Sequence, residues 1–118
     1  MERVRFITYR GQRIVLADVS DCKAQEVMDV VDHIPGVVTA EPPGSVLLLG
    51  DFSRSEVTRE ALEHIKIAAV FDRPHLKKSA WVCTDSFPRT LYETVKSFSA
   101  RRIPLFGTRE EALEYLVS

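Results

Sequence analysis

After an opening pair of strand-like segments, the chain alternates helix-like and strand-like segments, and this alternation restricts the possible folds more than any other feature. Apolar residues recur at helical spacing in some segments, and β-branched or continuous apolar runs fill the segments between them. The resulting order is ββαβαβαβα, which is typical of an α/β domain with parallel strands joined by right-handed crossovers. We therefore predict a mixed sheet of about five strands with four helices.

The first two strands are predicted to form an antiparallel hairpin. Val4 to Tyr9 and Arg13 to Val19 are rich in β-branched and aromatic residues, and residues 10–12 between them resemble a tight turn. The segment from Ser45 to Gly50 is continuously apolar, as expected for a strand covered on both faces. We place that strand in the centre of the sheet, with a further strand from Lys78 to Thr84.

Four helices are predicted from apolar spacing and from start and stop signals. Pro35 and Gly36 are interpreted as the stop of the first helix, and Ser55 as the N-cap of the second. The predicted bounds are about Asp21 to Ile34, Glu56 to Asp72, Phe87 to Ser99, and Arg109 to the end of the chain.

The clearest local signal is the junction between the last strand and the last helix. Ile103 to Phe106 forms a short strand, and Pro104 within it indicates an edge position because proline has no N–H to donate. Thr108 can accept a hydrogen bond from the first helical N–H groups, and Glu111 three residues later can complete a capping box. The junction should therefore be sharp.

Composition limits the class of protein. With 118 residues, of which 45% are hydrophobic, the chain can bury one core but not two, so we predict a single domain over residues 1–118. Sixteen basic and seventeen acidic residues give a net charge of −1, which argues against nucleic acid or anionic lipid as a partner. No apolar run approaches the ~18 residues of a membrane span.

The two cysteines, Cys22 and Cys83, are far apart in sequence and have no metal-ligand spacing. The N-terminus enters a strand-like pattern directly, without the apolar core of a signal peptide. We therefore expect reduced thiols in a cytoplasmic protein, with no metal site and no cofactor.

Loops that follow the predicted strands are one candidate binding site. In open α/β sheets, ligands bind beyond the carboxyl ends of the strands. Three such loops, residues 51–55, 84–86 and 107–109, carry hydroxyl groups beside a helix N-terminus, where anions can bind. Serine and threonine at these positions most often act only as N-caps, so we favour the structural interpretation.

An enzymatic function is the alternative hypothesis. Cys22 lies near a predicted helix N-terminus, which lowers the pKa of a thiol, and it is the most plausible nucleophile. A cysteine nucleophile needs a positioned base, and the spacing of His33, His64 and His75 pairs none of them with Cys22. We expect no catalytic residue; the alternative is a small enzyme that uses Cys22 or the hydroxyl-bearing loops.

The second predicted helix is more apolar than one buried face requires. Ile67 and Val70 lie away from its core-facing stripe and would meet solvent unless something covers them. A second copy, an apolar ligand, a lid movement or the following loop through Pro74 and Leu76 could do so. The core-facing stripe itself consists of Val57, Ala61, Ile65, Ala68 and Ala69.

Two parts of the chain resemble a known family. The phrase from Arg102 to Leu116, with its Thr-Arg-Glu-Glu-Ala-Leu core, and the Leu-rich strand ending at Asp51 resemble bacterial SpoIIAA-like proteins. These proteins belong with the STAS (sulfate transporter and anti-sigma-factor antagonist) fold and are also compared with CRAL-TRIO lipid-binding domains. The resemblance covers nearly the whole chain. It implies a STAS-like fold and a non-enzymatic module that binds a protein partner or a small apolar, lipid-like ligand.

In regulatory STAS proteins, a serine within Asp-Ser-Ser-Gly at a helix N-terminus is phosphorylated to switch partner binding. Residues 53–58 of this chain read Ser-Arg-Ser-Glu-Val-Thr, without the acidic-serine pair and the glycine, so Ser55 or Thr58 is the nearest substitute. The candidate surface for a ligand, a protein partner or a homodimer contact consists of Asp51, Ser53, Arg54, Ser55, Thr58, Ile67, Val70, Phe71, Asp85 and Ser86.

Overall fold

A five-stranded mixed sheet with helices on both faces forms the centre of the molecule. The computed structural model describes residues 2–83, Glu93 and residues 103–118. In chain order, the elements are β1 (Val4–Tyr9), β2 (Gln12–Asp18), α1 (Ala24–Val38), β3 (Val46–Asp51), α2 (Arg59–Asp72), a 3₁₀ turn (Arg73–His75), β4 (Leu76–Val82), β5 (Leu105–Phe106) and α3 (Arg109–Val117).

The strands lie in the order β1-β2-β3-β4-β5. β1 and β2 pair antiparallel, whereas the other neighbouring strands pair parallel. Arg10 and Gly11 connect the first two strands with φ angles of 49° and 77°. Two consecutive positive φ angles belong to the turn type whose twist matches a β-hairpin. The predicted hairpin is confirmed.

β3 is the central strand of the sheet, as predicted. All six of its residues are buried, because β2 and β4 flank it and helices cover both faces. Val46 and Leu48 belong to the core beneath α1 and α2, whereas Leu47 and Leu49 belong to the core beneath α3. The continuous apolar sequence of this strand follows from burial on both faces.

The two faces of the sheet carry different helices. On one face, α1 and α2 bury a large core that includes Val27, Val31, Ile65 and Trp81. On the other face, α3 packs Ala112 and Leu116 against a smaller core that includes Ile14, Leu49 and Val82. Full burial of one such aliphatic side chain stabilises the fold by roughly 1.5–3 kcal/mol, so burial in both layers adds to the stability of the fold.

The predicted stop of the first helix at Pro35 is wrong. α1 continues through Pro35 to Val38. Proline removes one helical N–H, but the last turn is anchored because Val38 is fully buried and Thr39 donates both its N–H and its hydroxyl to the Pro35 carbonyl. Tertiary burial therefore overrides the local stop signal.

The second helix begins later than predicted, and Ser55 is not its N-cap. Thr58 holds that position, and its hydroxyl oxygen accepts a hydrogen bond from the Ala61 N–H at 3.1 Å. The buried Ser55 hydroxyl instead donates to the Phe52 carbonyl at 2.7 Å. The first predicted turn of α2 is therefore a non-helical loop.

The last helix and the edge position of the last strand agree with the sequence prediction, although the strand is shorter than predicted and spans only Leu105–Phe106. β5 lies at the edge of the sheet and pairs parallel with β4. Thr108 caps α3 by accepting from the Glu111 N–H at 3.2 Å, and its hydroxyl donates to the Glu111 carboxylate at 3.0 Å. Apart from Glu93, the predicted helix from Phe87 to Ser99 lies outside the described residues, whose elements include three α-helices where the sequence predicted four.

Candidate functional site

A charged cluster connects α3 to the carboxyl ends of β2 and β3. Arg109 Nε donates to Asp51 Oδ2 at 2.5 Å, and Arg109 Nη2 lies 3.0 Å from Asp18 Oδ1. Asp51 also accepts from the Ser53 N–H at 2.9 Å. Asp18 accepts from both the N–H and the hydroxyl of Ser20. The predicted site residue Asp51 is therefore engaged within the fold.

The pKa values of Asp18 and Arg109 favour the charged forms of these two side chains. Burial alone would raise the pKa of Asp18, but hydrogen bonds from Ser20 and the nearby Arg109 guanidinium outweigh burial, so the pKa lies below its usual value. Burial lowers the pKa of Arg109, yet the hydrogen bonds and charges of Asp51 and Asp18 raise it overall. Asp18 and Arg109 therefore form an ion pair that connects the sheet to α3.

Hydrogen bonds connect the loop after β3 to the loop after β2. Arg54 donates two hydrogen bonds to the Asp21 carboxylate, at 2.7 and 3.1 Å, and the Asp21 N–H donates to the Ser53 carbonyl. Ser53 and Ser55 are buried, whereas Arg54 is exposed. The structure thus brings residues 51–55 together, but most of their polar groups point into the fold.

Phosphorylation at Ser55 or Thr58 stays a prediction.

Cys22 is buried at the start of α1. Burial raises the pKa of its thiol, because the apolar surroundings disfavour the thiolate. His64 Nδ1 lies 2.7 Å from Asp32 Oδ1, and His75 Nδ1 lies 2.7 Å from the Glu41 carbonyl oxygen. Within the described part of the chain, no histidine hydrogen bonds to Cys22.

Three large apolar side chains on α2 face solvent. Ile67, Val70 and Phe71 are 58%, 48% and 60% exposed. The prediction that Ile67 and Val70 lie off the core stripe is confirmed. Leu76 is buried in the core and Pro74 is exposed, so the following loop leaves this surface open. We call Ile67, Val70 and Phe71 the outer face of α2.

The remaining residues of the predicted site, Asp85 and Ser86, lie outside the described residues.

An apolar cavity lies between the sheet, α1 and α2. Its volume is about 50 Å³, several times the ~10–15 Å³ that one water needs, so it admits a group of several heavy atoms. The exposed Arg73 and the half-buried Ala69 form its rim. Its apolar walls include Val31 and Ile34 of α1, Ile65 and Ala68 of α2, and Ala17, Leu48 and Trp81 of the sheet.

Gly50 forms part of the wall of this cavity. It lines the cavity beside Phe52 and Trp81, whose rings pack with centroids 4.9 Å apart. A Cβ atom at position 50 would lie 3.1 Å from Phe52 and 3.3 Å from Trp81, which is closer than ordinary packing allows. The absence of a side chain lets the two rings approach the strand.

Two buried polar side chains, Asp72 and Ser79, line the same cavity. Each is 3% exposed. Asp72 Oδ1 and Ser79 Oγ have no hydrogen-bond partner among the described residues. Burial raises the pKa of Asp72 to about 7. The cavity therefore combines apolar walls with two polar atoms whose hydrogen-bonding capacity is unused, an arrangement that suits ligand binding.

The sequence analysis missed both residues, although each leaves a signal. Asp72 lies four positions after Ala68 and seven after Ile65, so it continues the buried stripe of α2. Ser79 lies two positions before Trp81 in β4, so it points to the same face of the sheet. A carboxylate or hydroxyl at a core position of an amphipathic element is the pattern that could have indicated this site.

Other kinds of site are not evident in the described residues. Among them, no group of histidine, cysteine, aspartate and glutamate side chains could hold a metal ion. No helix in the same part of the chain is long and apolar enough to cross a membrane.

Comparison with solved structures identifies the architecture. The chain superposes with a TM-score of 0.71 on the crystal structure of an uncharacterized DUF3478-family protein from Shewanella loihica PV-4, which is described as having a SpoIIAA-like fold. The match covers 96% of this chain and 91% of that one, at 10% sequence identity. The fold is SpoIIAA-like. In this SpoIIAA-like domain the cavity lies beneath α1 and α2, on the opposite face from α3.

Comparisons by sequence add no relative. A scan against protein-family profiles gives no match, and a search of curated proteins gives none. The structural match therefore supports the expected SpoIIAA-like architecture, and a shared fold does not by itself show a shared function.

Proposed function

We propose that this SpoIIAA-like domain is a non-enzymatic, STAS-type binding module that takes a small apolar ligand in the cavity between the sheet, α1 and α2. The observation that carries the proposal is the cavity itself, an apolar space of about 50 Å³ at the edge of the main core. Native cores contain few voids larger than a water molecule, so a cavity of this size with an exposed rim favours a binding role.

Burial of the ligand's apolar surface in the cavity would supply most of the binding free energy. Transfer of a four-carbon group from water into the cavity contributes about 3 kcal/mol before the cost of immobilising the ligand. The cavity walls are formed by α1, α2 and three strands, so most of the contact surface is already in place. Small apolar molecules should therefore bind without large rearrangement of the backbone.

A cavity-filling variant tests this function. Ala69→Leu places a larger side chain at the rim of the cavity, whereas Ala40→Leu makes the same change at an exposed position outside it. Toluene binding to the full chain, measured by NMR chemical-shift titration, should weaken at least about tenfold in Ala69→Leu and stay unchanged in Ala40→Leu. Absence of toluene binding to the wild type, or equal binding by both variants, would refute the cavity as a ligand site.

A second candidate is recognition of a protein partner or a second copy through the outer face of α2. The exposed Ile67, Val70 and Phe71 support it, because large apolar side chains grouped on one helix often mark an interface. The double variant Ile67→Lys and Val70→Lys should stay folded and lose any dimer detected by sedimentation. Phe6→Lys, a change at another exposed apolar residue on β1, serves as the control. A monomeric wild type that is indistinguishable from the double variant would exclude self-association.

The absence of catalysis is part of the proposal. The buried Cys22 thiol has a raised pKa, which is the opposite of what a thiolate nucleophile needs. Replacing Cys22 with alanine should therefore leave ligand binding unchanged. Iodoacetamide labelling of the folded wild type should be slow, and rapid labelling near neutral pH would revive the enzymatic alternative.

A further inference from the structure

We propose that the cavity is selective for a small apolar molecule that carries one hydroxyl group, an alcohol or a phenol, and that Asp72 and Ser79 bind this hydroxyl. The inference rests on the proposed function, because it requires a ligand in the same cavity. It adds the chemical class of that ligand and assigns the two residues that select it.

Two buried polar side chains lie in the wall of an otherwise apolar cavity. Asp72, at the end of α2, and Ser79, in β4, both line the cavity. Both side chains are buried, and neither Asp72 Oδ1 nor Ser79 Oγ has a hydrogen-bond partner among the described residues. Buried polar groups in native proteins are nearly always hydrogen-bonded, so two such atoms in one cavity indicate a ligand that supplies the missing bonds.

One hydroxyl group placed between the two side chains has the donor and the acceptor that they need. Its proton can be donated to the Asp72 carboxylate while its oxygen accepts the proton of the Ser79 hydroxyl. If Asp72 is protonated, the hydroxyl oxygen can accept from the carboxyl group instead. Because burial raises the pKa of Asp72 to about 7, both forms are populated near neutral pH, and a hydroxyl suits either form.

The charges around the cavity disfavour the alternatives. A charged group would lose its hydration in the apolar cavity, and protonated Asp72 would leave an ammonium group there without a counter-ion. A ligand carboxylate would be repelled by ionised Asp72. A purely apolar ligand would leave Asp72 Oδ1 and Ser79 Oγ without hydrogen bonds, so it should bind more weakly than a hydroxyl compound of the same size.

The test compares four ring compounds of similar size: phenol, toluene, benzylamine and benzoate. Their affinities for the full chain are measured near neutral pH by calorimetry or NMR titration. We expect phenol to bind the wild type about tenfold more tightly than toluene, as two modest hydrogen bonds would give, and benzylamine and benzoate to bind more weakly than both.

Variants of Asp72 and Ser79 test whether these residues cause the preference for phenol over toluene. Ser79→Ala should reduce the preference for phenol over toluene to about threefold or less, without weakening toluene binding. Asp72→Asn keeps the shape and an acceptor oxygen, so it should retain the preference. Ser45→Ala, at an exposed serine whose hydroxyl donates to the Pro42 carbonyl, is the matched control and should behave as the wild type.

The outcomes separate this inference from the proposed function. Failure of both toluene and phenol to bind would refute the cavity as a ligand site. Equal affinity for toluene and phenol would leave the cavity as an apolar site and overturn the selection by Asp72 and Ser79. Tightest binding of benzylamine or benzoate would overturn the hydroxyl class, as would an unchanged phenol preference in Ser79→Ala.

Discussion

Two regions of this domain bury carboxylates in opposite ways. On the α3 face, Asp18 and Asp51 are held by Arg109 and by N–H groups of the neighbouring loops. On the α1 and α2 face, Asp72 lies in an apolar cavity, and its Oδ1 has no partner among the described residues. Paired carboxylates connect elements of the fold, whereas an unpaired buried carboxylate costs stability. In our proposal, a ligand supplies the missing partner of Asp72.

The pH dependence of stability should differ most between the two regions. Burial raises the pKa of Asp72 to about 7, so the folded protein binds more protons than the unfolded chain between about pH 4 and 7. The free energy of unfolding should therefore fall as pH rises through this window, by about 4 kcal/mol in all, and level off above pH 7. Urea denaturation at a series of pH values measures the slope.

The variant Asp72→Leu is the control for this slope. It removes the titrating group and keeps an apolar side chain at the end of α2, so its stability should change much less across the same pH range. Parallel curves for the wild type and the variant would show that Asp72 titrates normally and that the cavity is well hydrated.

Removing Arg109 should have the next largest effect. Arg109→Met leaves Asp51, which is only 4% exposed, without its guanidinium partner, and the expected cost is about 3 kcal/mol. Arg13→Ala breaks a surface pair with Glu41 at 3.4 Å and should cost at most about 1 kcal/mol. If both variants lose the same small amount in urea denaturation, the α3 cluster is no more than a surface contact.

Asp18 should make the free energy of unfolding depend on pH under acidic conditions. Its pKa is lowered in the folded protein, so the stability it contributes is present above about pH 4 and is lost as pH falls through its folded pKa. Asp18→Asn should flatten this acid limb and cost about 1–2 kcal/mol at neutral pH, through weaker hydrogen bonds with Ser20 and Arg109. An unchanged acid limb in thermal melts would contradict the assignment.

Two serine variants give the smallest effects, with opposite signs. Ser79→Ala removes a buried hydroxyl without a described partner and should stabilise the unliganded protein by about 1 kcal/mol. Ser55→Ala removes a buried hydroxyl that donates to the Phe52 carbonyl and should destabilise it by about 1 kcal/mol. Destabilisation by Ser79→Ala would show that its hydroxyl is satisfied in solution, for instance by a bound water.

Local sequence signals gave correct predictions where only neighbouring residues decide the structure. The hairpin turn depends on residues 10–12, and the α3 cap depends on Thr108 and Glu111. They failed where distant contacts decide. Burial of Val38 extends α1 past Pro35. Ser55 is a different case, because a local hydrogen bond to the Phe52 carbonyl, three residues away, takes the hydroxyl that the sequence assigned to a cap.

In the candidate site, too, local patterns were predicted from the sequence and contacts between distant residues were not. The sequence predicted the exposed Ile67 and Val70, because helical periodicity alone separates them from the core stripe. It also drew attention to Asp51, but not to Arg109 as its partner, which lies 58 residues away in the chain.

The sequence by itself determined the α/β order, the antiparallel hairpin, the central position of β3 and the amphipathic faces, because these follow from periodicities within short segments. The tertiary structure alone decided which polar side chains are paired and which are left in a cavity. Asp18 and Asp72 are the same residue type, and only the packing of distant elements places Arg109 beside one and apolar walls around the other. Desolvation and pairing depend on that three-dimensional environment, and they set the pKa and the chemical use of each group.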